Sequence, residues 1–287
     1  MSANPDLRVT PWRPDLAAAH LSNTMEARKF TGGTRRGVHS AVAPLHAGPC
    51  EDSPRVSEAL LGEAVMVFEE RDGWAWGQLQ SDDYVGYLPA VALGPEPDAA
   101  THRVASLRTF RYAAPDIKSQ VTGWASLNSR LQVVEDDGIL ARLGNGEYVV
   151  SGHLAPLDEP APDFVAVAER FVGTPYLWGG KSSLGLDCSA LLQQSLTAAG
   201  IACPRDSDMI EAQIGDELGR EGPDVPPQRG DLIFWSGHCA ILTSATELLH
   251  ANAHHMATVI EDAEQAFARI ARVSGPVTSI RRISGLG

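Results

Sequence analysis

The chain lacks a long hydrophobic segment and a secretory leader. No apolar run approaches the ~20 residues that a membrane-spanning helix needs. Residues 1–8 (MSANPDLR) contain no basic stretch followed by an apolar one, which is the pattern of a secretory signal. We therefore expect a cytoplasmic protein without a membrane partner.

Basic residues are also scarce. The chain has 23 Lys and Arg against 36 Asp and Glu, which gives a formal net charge of −13. Such a balance argues against nucleic acid and against an anionic membrane surface as partners. It does not exclude an acidic peptide substrate, because the local charge of a site can differ from the total.

Cysteine is rare, and the spacing of the cysteines does not indicate a metal site. The four cysteines are Cys50, Cys188, Cys203 and Cys239, and no two of them form a Cys-x-x-Cys pair. Four cysteines in 287 residues without a leader do not make a disulfide framework. Free thiols are therefore expected.

A group of histidines near the C-terminus raises the question of zinc. His250, His254 and His255 lie close together, but they lack the His-Glu-x-x-His spacing. The sequence also places no carboxylate as their partner. We therefore expect neither a metal nor another cofactor.

The length and composition are those of a soluble globular protein of one to three domains. Of the 287 residues, 44% are hydrophobic and 21% are charged. We divide the chain into an N-terminal arm (1–37), a small β-barrel (38–97), a second and divergent small β-barrel (98–158) and a larger C-terminal domain (159–287).

Short strands separated by turns predict the two barrels. In the first, strands are expected at 64–68, 74–79 and 84–88, with a tight hairpin at Asp72 and Gly73. The strands expected at 130–134, 139–143 and 147–150 repeat this pattern more weakly. The Gly-Trp and Gly-Tyr-Leu-Pro phrases of the first resemble bacterial SH3-like modules.

The C-terminal domain has helical periodicity first and strands afterwards, so its class is α+β. A glycine-rich loop (178–185) leads into a helix that Asp187 would cap and Gly200 would end. Cys188 then lies in the first helical turn, where the helix dipole favours a thiolate. We predict that Cys188 is a nucleophile.

Two histidines complete the arrangement that covalent acyl transfer needs. His238 and His250 lie in short apolar runs on either side of a turn. In a hairpin centred near Ser244 they would face each other, each six residues from the centre. His238 would be the base for Cys188, and His250 would orient it; we predict Cys188, His238 and His250 as the catalytic residues.

These residues resemble the NlpC-type papain-like cysteine peptidases of bacteria. Six short matches occur in order over about 75 residues: 175–180 (PYLWGG), 187–189 (DCS), 204–207 (PRDS), 229–235 (RGDLIFW), 237–238 (GH) and 250–251 (HA). The resemblance implies a papain-like domain that cleaves the bond between γ-D-glutamate and a diamino acid in murein-derived peptides, within peptidoglycan turnover or recycling.

The resemblance also implies roles in substrate binding. Tyr176 matches a tyrosine that polarises the scissile carbonyl, and Trp178 matches a wall of the pocket. Asp206, with Ser207, resembles the subgroup that binds a free N-terminal amine, typically that of L-Ala-γ-D-Glu peptides. In that subgroup a tyrosine of the first SH3-like module closes the pocket; Tyr84 is the better match and Tyr87 the alternative.

Two further residues near Cys188 are candidates for contact with the substrate. Ser189, next to Cys188, is included among the substrate-binding candidates, and Lys181 is a candidate for receiving the carboxylates of the substrate. Arg205 and Asp187 are expected to be structural.

Two other functions fit part of the pattern. A wall-peptide binding protein would use the SH3-like modules and carry an inert third domain, but the intact cysteine and both histidines disfavour it. A papain-like acyltransferase or amidase would share the cysteine and histidine. Asp206 favours the peptidase, since a carboxylate there anticipates an amine rather than a lipid or a sugar.

Overall fold

The computed structural model describes residues 5–96, 99–219 and 226–284. The chain divides into two compact units, Met1–Leu157 and Asp158–Gly287. None of the helices in the described ranges is long and apolar enough to cross a membrane.

The first unit consists of short strands. Their bounds are β1 Ala17–Ala18, β2 Phe30–Thr31, β3 Thr34–Val38, β4 Val42–His46, β5 Arg55–Leu60, β6 Ala64–Arg71, β7 Trp74–Leu79, β8 Val85–Pro89, β9 Leu93–Gly94, β10 His102–Val104, β11 Arg108–Tyr112, β12 Val121–Ser126, β13 Arg130–Leu131, β14 Val133–Asp136, β15 Leu140–Leu143, β16 Tyr148–Val150 and β17 Leu154–Pro156.

The first small β module is a sheet with the strand order β5-β4-β8-β7-β6-β3-β9. Its predicted hairpin is confirmed: Arg71 pairs with Trp74, and the two residues between them, Asp72 and Gly73, both have positive φ, as a two-residue turn of this kind requires. The module begins earlier than expected. Strand β3 pairs with β6 and β9, so Thr34 already belongs to the sheet and the arm does not extend to residue 37.

The second module combines a sheet of order β12-β11-β16-β15-β14 with one of order β13-β10-β17. The strand expected at 130–134 is two strands, β13 and β14, because the chain changes sheets at Gln132. The cluster of buried residues in this module includes Val104, Ala125 and Val149.

The second unit places its first three helices before the main sheet. Its elements are α1 Phe164–Glu169, β18 Lys181–Ser182, β19 Gly185–Leu186, α2 Cys188–Ala198, α3 Ser207–Gln213, β20 Asp216–Gly219, β21 Leu232–Trp235, β22 His238–Leu242, β23 Glu247–Asn252, β24 Ala257–Asp262, α4 Ala263–Ser274 and β25 Ser279–Arg282. The expected α+β order is therefore confirmed.

The sheet of the second unit is antiparallel, with the order β20-β25-β21-β22-β23-β24. On one face, residues such as Trp235 and Leu248 pack against Ala266 and Ile270 of α4. Alternate residues of the same strands, such as Phe234 and Leu249, are also buried. A sheet buried on both faces holds the side chains at its strand ends in fixed positions.

Candidate active site

Cys188 is the first residue of α2, as predicted. Asp187 occupies the N-cap position, and its Oδ1 accepts a hydrogen bond of 2.9 Å from the backbone N–H of Ala190. The free N–H groups and the dipole of the helix end therefore surround the thiol with partial positive charge.

The carboxylate of Asp187 also joins this helix end to the rest of the site. It accepts two hydrogen bonds from Arg205, of 2.9 and 2.7 Å, and one of 3.0 Å from the N–H of Gly179. Arg205 is 1% exposed and also donates to the carbonyl of Gly180 and to the hydroxyl of Ser189. The buried pair fixes the start of α2 against the glycine-rich loop, which is the structural role expected of both residues.

His238 and His250 are hydrogen-bonded, with 2.8 Å between His238 Nε2 and His250 Nδ1. The sequence had led us to expect that the two histidines lie directly opposite each other, but they do not. Ile241 pairs with Leu249 and Leu242 with Leu248, so the hairpin is centred at residue 245 and His250 lies diagonally from His238. The two rings still meet, because a shift of two residues between facing positions keeps both side chains on the same face.

The partner beyond His250 is a carboxylate. Nε2 of His250 lies 2.6 Å from Oε1 of Glu261, and Arg269 donates to both oxygens of that carboxylate. Burial, together with the nearby charge of His238, lowers the pKa of His250 to about 4. His250 is therefore neutral at pH 7.

The thiol of Cys188 is strongly acidic. A hydrogen bond from Cys239 and the hydrogen bond and charge of His238 lower the pKa of Cys188 to about 5, against the opposing effect of burial. Burial raises the pKa of Cys239 well above its usual range, so this second thiol keeps its proton and donates it to the Cys188 sulfur. Cys188 is a thiolate at neutral pH, which is the reactive form.

Tyr176 supplies a neutral donor beside Cys188. Burial, followed by the charges of Cys188 and Asp187, raises the pKa of the Tyr176 phenol well above its usual range. The phenol therefore keeps its proton and can donate it to an oxygen that becomes negative during attack on a carbonyl. Thiolate, base, orienting group and donor together are suited to acyl transfer through a thioester.

Comparisons with known proteins agree with this chemistry. Residues 173–272 match the NlpC/P60 family, and residues 45–93 match the bacterial dipeptidyl-peptidase SH3 domain. The dipeptidyl-peptidase 6 of Lysinibacillus sphaericus is 36% identical over 240 residues, which are 75% of this chain and 86% of that protein. The chain belongs to the NlpC/P60 family. It is thus a peptidase, and its substrates are peptides derived from peptidoglycan.

Two further relatives extend the comparison. A γ-D-glutamyl-L-lysine dipeptidyl-peptidase of Bacillus cereus is 27% identical over 230 residues, covering 72% of this chain and 65% of that protein. A solved NlpC/P60 family structure, also from Bacillus cereus, has a TM-score of 0.72 at 20% identity and covers 88% of this chain and all of that one. This structural likeness shows the shared fold.

The structure places several predicted substrate-binding residues of the peptidase in the second unit. Trp178 is 68% exposed on the glycine-rich loop. Asp206 is half-buried at the N-cap position of α3, but its side chain makes no hydrogen bond to the helix, and Ser207 is the first helical residue. The hydroxyl of Ser189 is bonded to both Asp187 and Arg205. Their roles toward substrate stay predictions.

Three other residues that were considered for substrate binding are engaged or buried. Tyr84 and Tyr87 lie in the first unit; Tyr84 is 5% exposed, and the phenol of Tyr87 accepts a hydrogen bond of 3.0 Å from Arg13. Their role at the substrate pocket stays a prediction. Lys181 is 2% exposed in β18, which leaves little of its side chain available to the carboxylates of a ligand.

Three members of the site, Cys239, Glu261 and Arg269, were not predicted from the sequence. The expectation that the histidines have no carboxylate partner was wrong, because Glu261 reaches His250 from the neighbouring strand β24. The apolar run after the histidine-rich turn could have indicated a second hairpin. The register that brings Glu261 to His250 depends on pairing between strands and is not readable from local pattern alone.

Among the described residues, His250, His255 and Glu261 form a group that could hold a metal ion, with their ligand atoms within 4.8 Å of one another. In the structure these atoms are already engaged: Nε2 of His250 is bonded to Glu261, and both oxygens of Glu261 accept from Arg269. His250 and Glu261 are thus part of the hydrogen-bonded chain that begins at His238.

The acidity of Cys188 should depend on Cys239. Alkylation of Cys188 by iodoacetamide, followed by mass spectrometry of its peptide between pH 4 and 9, should show a midpoint near pH 5 in the wild type. In Cys239→Ala the midpoint should rise by roughly one pH unit or more, since a hydrogen bond to a charged group is worth about 1.5–3 kcal/mol.

Two variants are the controls for this experiment. Cys239→Ser keeps a donor and should keep the midpoint low. Cys203→Ala removes another buried thiol, whose hydrogen bond goes to the carbonyl of Pro204, and should leave the midpoint unchanged. A midpoint that is the same in Cys239→Ala as in the wild type would show that Cys239 does not stabilise the thiolate.

Proposed function

We propose that the protein hydrolyses the bond between γ-D-glutamate and a diamino acid in murein-derived peptides that begin with a free L-Ala, releasing the dipeptide L-Ala-γ-D-Glu. The observation that carries the proposal is a chain of hydrogen bonds that runs from Cys188, at the start of α2, through His238 to His250 on the neighbouring strands. The activity after which the Bacillus cereus relative is named, that of a γ-D-glutamyl-L-lysine dipeptidyl-peptidase, supports the choice of bond.

In the first step the thiolate of Cys188 attacks the γ-carbonyl carbon of D-glutamate and forms a C–S bond. The phenol O–H of Tyr176 and the backbone N–H of Cys188 donate to the oxyanion. When the intermediate collapses, the C–N bond breaks and His238 gives its proton to the leaving amine of the diamino acid. The dipeptide remains as a thioester on Cys188.

In the second step water attacks the thioester carbonyl while His238 takes a proton from it. The C–S bond breaks, and Cys188 returns as a thiolate beside the imidazolium of His238. The dipeptide leaves with a new carboxyl group, which gives its remaining proton to solvent. His250 does not touch the substrate. It holds the ring of His238 through both steps by the 2.8 Å hydrogen bond.

Asp206 supports the preference for a free amine. Its carboxylate lies half-buried at the N-cap position of α3. A carboxylate that meets an ammonium makes a charge-assisted hydrogen bond, which an N-acylated peptide cannot provide. The same residue would therefore restrict the peptidase to short free peptides and exclude intact wall.

The central experiment is hydrolysis of L-Ala-γ-D-Glu-meso-diaminopimelate, free and N-acetylated, by wild type and Cys188→Ala. Cleavage of the free peptide alone, lost in the variant, is the expected result. Cleavage of both peptides would remove the amine preference and keep the peptidase. Cleavage of neither would contradict the proposed bond and favour an acyltransferase or a binding function.

The contribution of Asp206 is measured by Asp206→Asn, with Asp208→Asn on the exposed side of the same helix start as the matched control. KM for the free peptide should rise roughly 10- to 100-fold, as expected for the loss of a charged hydrogen bond worth about 1.5–3 kcal/mol, while kcat changes little. An unchanged KM, or the same loss in Asp208→Asn, would contradict recognition of the amine.

We further propose that the reaction takes place in the cytoplasm, in recycling of wall peptides. Cys188 and Cys239 are hydrogen-bonded neighbours that are not joined in a disulfide. Disulfides form in oxidising compartments and are rare in reducing ones, so a nucleophilic cysteine beside a second cysteine is better protected in the cytoplasm. Fractionation of cells that express the full-length protein should find it with cytoplasmic markers, and recovery from the extracytoplasmic fraction would contradict this location.

A further inference from the structure

We propose that Glu261, held by Arg269, is a positioning residue: it fixes His250 in the tautomer that carries hydrogen on Nε2, and through His250 it keeps His238 ready to act as base. The inference deepens the proposed function and rests on it only where turnover is measured. Two of its readouts need no substrate.

The sheet brings Glu261 to His250 by the same geometry that brings His250 to His238. Val259 pairs with His250, and Glu261 pairs with Leu248. Glu261 is therefore two residues from the position opposite His250 and on the same face, as His250 is relative to His238. Three neighbouring strands thus present His238, His250 and Glu261 in a row.

The row ends on α4. Arg269 donates to Oε1 of Glu261 at 2.5 Å and to Oε2 at 2.7 Å, a two-pronged contact that fixes the plane of the carboxylate. Against the effect of burial, hydrogen bonds from Arg269 and His250 lower the pKa of Glu261 to about 2. Glu261 is therefore ionised at neutral pH and can only accept hydrogen bonds.

An obligatory acceptor determines where the proton on His250 lies. Neutral His250 has one N–H, and the 2.6 Å contact places it on Nε2, donating to Glu261. Nδ1 of His250 then has a free lone pair and accepts from Nε2–H of His238. His238 is neutral after it has given its proton to the leaving amine. Its remaining nitrogen, Nδ1, then carries no proton and can accept one from the water that attacks the thioester.

The opposite tautomer would disable the base. If His250 carried its hydrogen on Nδ1, it would donate to Nε2 of His238. Neutral His238 would then carry its own hydrogen on Nδ1, toward the sulfur, and could not accept a proton there. The carboxylate of Glu261 can only accept hydrogen bonds, so it excludes the Nδ1–H tautomer of His250. A neutral amide at the same position can both donate and accept, so it would allow either tautomer.

The groups that face His250 come from each element around it. His238 lies on β22, Glu261 on β24 and Arg269 on α4. His255, in the turn between β23 and β24, has its Nδ1 3.9 Å from Oε1 of Glu261 and 3.1 Å from Oδ1 of Asn252. The carboxylate that contacts His250 is that of Glu261.

The first test is the tautomer itself, measured at pH 7 on the full chain labelled with ¹⁵N-histidine, with His250→Gln used to assign its signals. Two-bond nitrogen–proton correlations should show wild-type His250 as the neutral Nε2–H form. An Nδ1–H or a doubly protonated His250 in the wild type would overturn the proposal without any variant at Glu261.

The second test is Glu261→Gln, with Glu264→Gln on the exposed face of α4 as the matched control. Glu261→Gln should populate the Nδ1–H form of His250 and lower kcat roughly 10- to 100-fold with KM little changed, by analogy with the loss seen when an orienting group no longer fixes a histidine tautomer. Arg269→Lys, which keeps a cation beside Glu261, should retain the wild-type tautomer and most of kcat.

A structural role alone would give a different result. If Glu261 only tied β24 to α4, Glu261→Gln would lower the melting temperature but leave the tautomer of His250 and the pH profile of Cys188 alkylation as in the wild type. That outcome overturns the proposal. If the wild type cleaves no γ-glutamyl peptide, the proposed function fails, while the tautomer and the alkylation profile still decide the role of Glu261.

Discussion

The hydrogen bond between His238 and His250 is the interaction on which the active site depends. It exists because β22 and β23 pair in one register, and His238 follows a tight turn, at Ser236 and Gly237, that starts its strand. A slip of one residue would turn one histidine to the other face of the sheet, whereas a difference of two residues keeps the rings together. Burial of both faces of the sheet makes the wrong register costly.

A second constraint is the balance of charge around Cys188. The carboxylate of Asp187 is needed to cap α2, but its charge raises the pKa of the neighbouring thiol. Arg205 neutralises it through two hydrogen bonds in a buried pair, and the proton of Cys239 and the charge of His238 act in the opposite direction. The thiolate is thus stabilised by groups from a helix, a loop and a strand, which only the folded domain brings together.

Features of the site that depend on neighbouring residues in the sequence could be predicted, and features that depend on contacts between distant residues could not. The cap at Asp187, the position of Cys188 in the first helical turn and the hairpin at Asp72 are local patterns, and the structure has them where they were predicted. The hairpin of the two histidines was placed one residue off centre, because its turn has no residue that fixes the loop length. The positions of Glu261 and Cys239 in the site depend on strand pairing across the sheet and on helix packing. Neither can be deduced from the spacing of residues in the sequence.

The most direct test of the proposed mechanism is detection of the covalent intermediate on Cys188. The free peptide L-Ala-γ-D-Glu-meso-diaminopimelate is mixed with the wild-type enzyme, quenched in acid during turnover and digested for mass spectrometry. We predict that the peptide containing Cys188 gains the mass of one L-Ala-γ-D-Glu acyl group. Product formation with no adduct on Cys188, or with an adduct on another residue, would contradict the assignment of Cys188 as the nucleophile.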